Sequence, residues 1–206
     1  QVKPDYDLSI MKDKQTLFDV TTNILDRIKG VLEEVKPDVV LVHGDTSTTF
    51  AGALSAFYHQ VPVGHVEAGL RTYDKYSPFP EEINRVLTGH IAELHFAPTE
   101  RNRQNLLAER ISDDNIIITG NTVIDALLQV ADKPYEFEDE TLKALDFENK
   151  RVICVTCHRR ENLGGGLERI FEAVNRAVET RDDIKVIYPV HMNPQIVELA
   201  NRMLKS

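Results

Sequence analysis

Apolar positions along this chain recur with two alternating periods. In QTLFDVTTNILDRIKGVLEEV (15–35), Leu17, Val20, Ile24, Ile28, Val31 and Val35 fall at helical spacing. Lys36-Pro37 stops that helix, because the residue before a proline is pushed out of helical geometry. DVVLVHG (38–44) follows, dense in β-branched residues, and reads as a buried strand. The alternation then continues. STTFAGALSAFYHQ reads as helix, VPVGHVEAG (61–69) as strand and loop, and PEEINRVLTGHIAEL (80–94) as helix with Pro80 in its first turn. LHFAPT reads as strand, TERNRQNLLAE as a helix capped by Thr99, NIIITG as strand and TVIDALLQVA as helix.

The pattern breaks at DKPYEFEDETLKALDFENK (132–150), which is charged and reads as a linker. It resumes with RVICVTC, LERIFEAVNRAVET, IKVIYPV and PQIVELANRMLK as strand, helix, strand and helix. Alternation of this kind implies parallel sheets covered by helices. The expected organisation is one domain over 1–131, a linker over 132–150 and a second domain over 151–206.

Composition narrows the partners. At 42% hydrophobic and 28% charged residues, the chain has the balance of a soluble globular protein. Its longest apolar runs, such as VVLV and VIDALLQVA, are too short to cross a bilayer, so no membrane is expected. A net charge of −9 argues against nucleic acid. Two cysteines make no disulfide framework, and a reducing cytoplasm is the simplest setting. No signal peptide is visible, and an opening Gln-Val-Lys-Pro without Met suggests that residue 1 is not the native start.

The string CVTCH (154–158) has the spacing of a c-type haem attachment or a redox dithiol. It ends a predicted strand, where a thioredoxin-like pair would open a helix, and no second Cys or His pair completes a zinc knuckle. The expectation is one core cysteine and one small residue at a strand end.

Ligands of open parallel sheets bind beyond the carboxyl ends of the strands. The residues there are His43-Gly44-Asp45-Thr46, Glu67 to Arg71, Gly120-Asn121-Thr122, His158 to Asn162 and His191-Met192-Asn193-Pro194. Each cluster alone is equally a set of helix caps and polar loop residues; together they point to a site. Glu81 and Glu82 add acid at a helix start, where the helix dipole would favour it anyway. His43-x-Asp45 and His65-x-Glu67 have the strand spacing of cation ligands, but no third histidine arrives in a recognised spacing, so no metal is expected. Gly164-Gly165-Gly166 precedes a helix and reads either as a phosphate cradle or as a flexible loop.

These residues carry a resemblance. HGDTSTT (43–49), GHVEAGLRT (64–72), SPFPEEINR (77–85), APTE (97–100), TGNTVIDAL (119–127), HRREN (158–162) and YPVHMNP (188–194) resemble the non-hydrolysing UDP-N-acetylglucosamine 2-epimerases, in the right order over essentially the whole chain. The resemblance implies an α/β fold of two Rossmann-like domains of the glycosyltransferase group B type, with the active site in the cleft between them. It implies interconversion of UDP-N-acetylglucosamine and UDP-N-acetylmannosamine through loss of UDP to 2-acetamidoglucal and its re-addition, with no cofactor. Carried over motif by motif, Asp45, Glu67 and Glu81 are the carboxylates of the proton transfers and His158 lies near the diphosphate. Arg159 and Arg160 add positive charge, and Glu161, Asn162, Asn121 and His191 join the substrate contacts. The family also implies a homodimer and a second UDP-N-acetylglucosamine as allosteric activator, for which Arg159 and His191 are the candidates.

The chain departs from the family at both ends. It lacks the GTRPE-like segment of the first strand and the later SGG and QEE segments that hold diphosphate and ribose. Both domains are therefore expected to be incomplete, with open sheet edges and exposed apolar surface. Three alternatives stay open: a hydrolysing epimerase that releases the free sugar, an inactive nucleotide-sugar-binding fragment, and a glycosyltransferase of the same fold, against which FPEE and VEAGLRT speak.

Overall fold

A computed structural model describes residues 3–12, 14–158 and 162–204. Helix α1 (Leu17–Val35) starts at Thr16, whose side-chain oxygen accepts from the Asp19 amide while the Asp19 carboxylate accepts from the Thr16 amide. This exchange satisfies two amides that a helix start leaves without partners. Ile24 of the apolar stripe is buried, as is Leu32, one turn beyond Ile28, whereas Leu17 and Val35 at the stripe's ends are exposed.

Four parallel strands form the sheet of the first unit: β1 (Val40–His43), β2 (Val63–Val66), β3 (Leu94–Ala97) and β4 (Ile116–Ile118), paired in that order. The register aligns Val42 with His65, His65 with His95, and His95 with Ile116. Helices α2 (Ser47–Tyr58), α3 (Glu81–Ile91), α4 (Glu100–Ala108) and α5 (Thr122–Ala131) follow successive strands. Helix α2 packs against α1, α3 and β1, and it does so through its smallest residues: Ala51, Ala53 and Ala56 are wholly buried. Short side chains let the neighbouring backbones approach closely. One core cluster joins Val42, Ala53, Ala56 and Val63; a second joins Ala68, Ala97, Leu106 and Ile116. The second cluster takes in Ala68, from the loop that follows β2. Helix α5 buries none of its residues; Val123, Ile124, Leu127, Leu128 and Val130 are exposed, as are Leu41 of β1 and Ile117 and Ile118 of β4.

The chain divides at Asp132/Lys133. In the second unit β5 (Arg151–Cys154) pairs in parallel with β6 (Ile184–Ile187), and α7 (Gly166–Thr180) and α8 (Pro194–Met203) build a core of Leu167, Phe171, Ile196 and Ala200. The stretch read as a linker, all but Asp132, falls in this unit. It carries the short helix α6 (Glu140–Lys143), capped by Asp139, and an aromatic group in which Phe137 stacks on Phe147 at 5.5 Å and meets Tyr135 edge-on. Its aromatic residues pack on one another, which a charge-based reading of 132–150 does not reveal. The strand read over RVICVTC is shorter than expected. Strand β5 ends at Cys154, which is exposed, while Cys157 lies beyond the strand and packs partly against the core, its carbonyl accepting from the Tyr188 hydroxyl at 2.8 Å. Among the described residues, no helix is long and apolar enough to cross a membrane.

Candidate active site

The first unit gathers its chemistry where β1 and β2 end. The turn after β1 runs His43-Gly44-Asp45-Thr46. Gly44 is in the left-handed region at φ 75°, its amide donates to the Val66 carbonyl at 3.0 Å, and its carbonyl accepts from His65 Nε2 at 2.8 Å. Both neighbours of the turn thus come from β2. His65 is buried, and burial pushes its pKa down, so the ring is neutral with its proton on Nε2. Thr46 then caps α2 by accepting from the Thr49 amide.

Asp45 projects from this turn and is half-buried. Its Oδ2 accepts from Arg85 Nε at 2.9 Å and Nη2 at 2.6 Å, and its backbone carbonyl accepts from Asn84 Nδ2 at 2.8 Å. Helix α3 therefore grips the β1 turn twice.

Glu67 is the first residue after β2. Its φ of 67° is left-handed, a conformation that costs a residue with a side chain about 1–3 kcal/mol and concentrates at functional sites. Its Oε1 accepts from Asn121 Nδ2 at 3.1 Å, and its Oε2 lies 3.8 Å from His43 Nε2. Asn121 also caps α5, so the turn after β4 supports the carboxylate of the turn after β2. Beyond Glu67, the Arg71 side chain is 1% exposed and forms a two-bond pair with Glu109, at 2.6 and 2.7 Å. That pair fixes the loop to the end of α4.

The two glutamates at the start of α3 have different surroundings. Glu82 is buried and saturated: Oε1 accepts from the amides of Thr72 at 3.0 Å and Tyr73 at 2.8 Å, and Oε2 accepts from Arg85 Nη1 at 3.1 Å. Burial raises its pKa, but these donors outweigh burial and hold it below the usual carboxylate range. Glu81 has a buried oxygen, Oε2, with no partner. A buried polar atom without a protein partner is rare, and this one is free to meet a water or a ligand. The Ser77–Pro78 and Phe79–Pro80 bonds leading into this helix are both cis.

In the second unit, the rings of His158 and His191 stack with centroids 4.8 Å apart and planes 21° from parallel. His191 Nδ1 accepts from the Asn193 amide at 3.0 Å, which leaves Nε2 as its donor. Asn162 packs beside Gly166 at the start of α7, a helix without a side-chain cap. The sequence candidates thus fall into two groups: Asp45, Glu67, Glu81 and Asn121 in the first unit, and His158, Asn162 and His191 in the second. Arg159, Arg160 and Glu161 lie outside the described residues. Sequence reasoning passed over Glu82, Asn84 and Arg85 as site residues. Their signal was the three-residue spacing of Glu82 and Arg85, which sets a carboxylate and a guanidinium on one helix face beside a predicted aspartate. Among the described residues, no three His, Cys, Asp or Glu side chains come together as a metal site.

The family model described as UDP-N-acetylglucosamine 2-epimerase matches residues 1–206. The chain belongs to that family. A Thermotoga maritima protein is 58% identical over 205 residues, covering 100% of this chain and 54% of that protein. The UDP-N-acetylglucosamine 2-epimerase of Yersinia pestis is 54% identical, covering 100% of this chain and 56% of that enzyme. The crystal structure of the Neisseria meningitidis UDP-GlcNAc 2-epimerase bound to UDP-GlcNAc superimposes with a TM-score of 0.90 at 46% identity, over 100% of this chain and 56% of that one. The fold is the glycosyltransferase group B type, and the chain spans about half the length of the relatives it matches.

Proposed function

We propose that this chain carries the acid–base residues of a non-hydrolysing UDP-N-acetylglucosamine 2-epimerase. The relatives from Yersinia pestis and Neisseria meningitidis are named as UDP-N-acetylglucosamine 2-epimerases, without the non-hydrolysing type, and the second was crystallised with UDP-GlcNAc. The observation that carries the reading is the set of three carboxylates at the ends of β1 and β2 and the start of α3, each in a different state of engagement. Asp45 is paired to Arg85 through one oxygen, Glu67 is held by Asn121 in a left-handed turn, and Glu81 keeps a buried oxygen open.

The chemistry requires such a set. The hydrogen on C2 of the sugar has no adjacent carbonyl to acidify it. A carboxylate removes it as a proton while the C–H electron pair forms the C1–C2 double bond and UDP leaves C1 with the pair of the broken C1–O bond. UDP then adds back at C1, and a protonated group delivers a proton to the opposite face of C2. One base, one acid and cationic or N–H groups at the diphosphate are needed. Asp45, Glu67 and Glu81 supply the first two. His158 and His191, with Arg159 and Arg160, supply the last, and Asn162, Asn121 and Glu161 complete the substrate contacts. His191 and Arg159 are also the candidate contacts for an activating second nucleotide sugar, in a homodimer.

The test is proton NMR of UDP-N-acetylglucosamine in D2O, with the 206-residue chain and with a version extended to its relatives' length. The extended protein should give UDP-N-acetylmannosamine carrying deuterium at C2. Its Glu67→Gln variant should lose at least about 100-fold in rate, the typical share of one acid–base group. Wild-type turnover by that variant would sink the assignment of Glu67. Free N-acetylmannosamine accumulating without UDP-N-acetylmannosamine would mean a hydrolysing enzyme instead.

A further inference from the structure

We propose that Arg85 is the positioning residue of this site, the group that sets Asp45 and the start of α3 against each other; the inference rests on the epimerase reading above. Arg85 lies on the same face of α3 as Glu82, and its side chain is 13% exposed. Its guanidinium uses three nitrogens on two carboxylates: Nε and Nη2 on Asp45 Oδ2, Nη1 on Glu82 Oε2. Glu82 in turn binds the amides of Thr72 and Tyr73. Asn84, from the same turn of helix, binds the Asp45 carbonyl. Three separate segments meet through this one cation: the turn after β1, the loop after β2, and the first turn of α3 that carries Glu81.

The arrangement is more than charge neutralisation. Both Asp45 bonds go to one oxygen, which leaves Oδ1 without a protein partner among the described residues. The carboxylate is thereby rotated to a fixed setting with one oxygen free. Tyr73 is held in a left-handed conformation at φ 64°, which the Glu82 bond to its amide secures. Only a planar, forked cation serves two carboxylates at once in fixed directions; an ammonium is a point charge on a flexible stem. Arg85 is thus a positioning residue and not a catalytic one: it acts through Asp45 and Glu82.

Arg85→Lys in the full-length protein separates these roles. It keeps the positive charge beside the buried Glu82, whereas Arg85→Met would leave that carboxylate unpaired and risks misfolding. Two quantities are read on the lysine variant: steady-state epimerisation, and amide hydrogen exchange over 44–46 and 72–73. The expected result is kcat lowered about 10- to 100-fold with KM within about twofold, as when a group is misplaced without loss of ground-state binding, together with faster exchange in those two segments only. Normal exchange with lowered kcat would overturn positioning, because Arg85 would then touch the substrate directly. Faster exchange with normal kcat would equally overturn it. Failure of the wild-type protein to epimerise would instead sink the epimerase reading, and the exchange data would still decide whether the clamp exists.

Discussion

Gly69 sits where a side chain has no room. A Cβ built there would collide with the backbone oxygen of Asn102, and the residue's φ is +85°. Its carbonyl also accepts from Asn105 Nδ2 at 2.9 Å, so α4 closes over the turn from both directions. Neither the helix backbone nor the turn can give way without moving Glu67, two residues earlier. Gly69→Ala is expected to lower stability by about 3 kcal/mol, through overpacking and backbone strain together. Equilibrium denaturation checks this, and a loss below about 0.5 kcal/mol would show that the turn is free to shift. The residue-scale chemistry was legible in part. Asp45 and Glu67 were visible because they follow strands. The difference between Glu81 and Glu82 was not, since two adjacent acids at a helix start look alike until the partners of each are known. Likewise, nothing in the spacing of His65 reveals that its ring turns back to hold the Gly44 carbonyl.

At the scale of elements, the periods along the chain gave helix and strand boundaries that the structure largely keeps, because local signals and packing agree there. Helix α1 is the clearest case. Thr16 and Asp19 form a complete capping box ahead of the apolar stripe, and α1 packs on α2. Thr16→Ala should therefore cost about 1 kcal/mol, seen as a lower denaturation midpoint with an unchanged slope. An unaltered midpoint would mean that packing on α2 alone holds the helix start. Period fails where burial does not follow it. Helix α5 carries a full apolar face, yet none of it is buried among the described residues. The segment 133–150 fails in the opposite sense: its sequence is dominated by charge, while its three aromatic residues supply the packing.

For the first unit as a whole, the sheet interior sets a limit on acid stability. His65 and His95 are register partners on adjacent strands, and each is 1% exposed. Burial is the chief cause that drives the pKa of His95 down to about 4, with the charges of His65, Arg71 and His90 acting in the same direction and a backbone bond at Ala92 opposing them. His65 is lowered for the same chief reason. The sign follows from proton counting. The unfolded chain binds a proton at His95 near its ordinary value of about 6.5, while the folded unit resists until about 4. Stability is complete above the unfolded value, falls as the pH drops from about 6.5 toward 4, and levels off for this group below that. Integrated over that window, one such histidine is worth roughly 3 kcal/mol. Glu82, whose folded pKa is lowered, extends the loss at still lower pH, since its bonds to Arg85 and the loop amides weaken on protonation. The denaturation midpoint of the wild-type protein should therefore decline between pH 6.5 and 4, and His95→Gln should flatten that decline whatever its effect at pH 7. Parallel curves for the two proteins would remove His95 as the cause and leave the carboxylates to account for the loss.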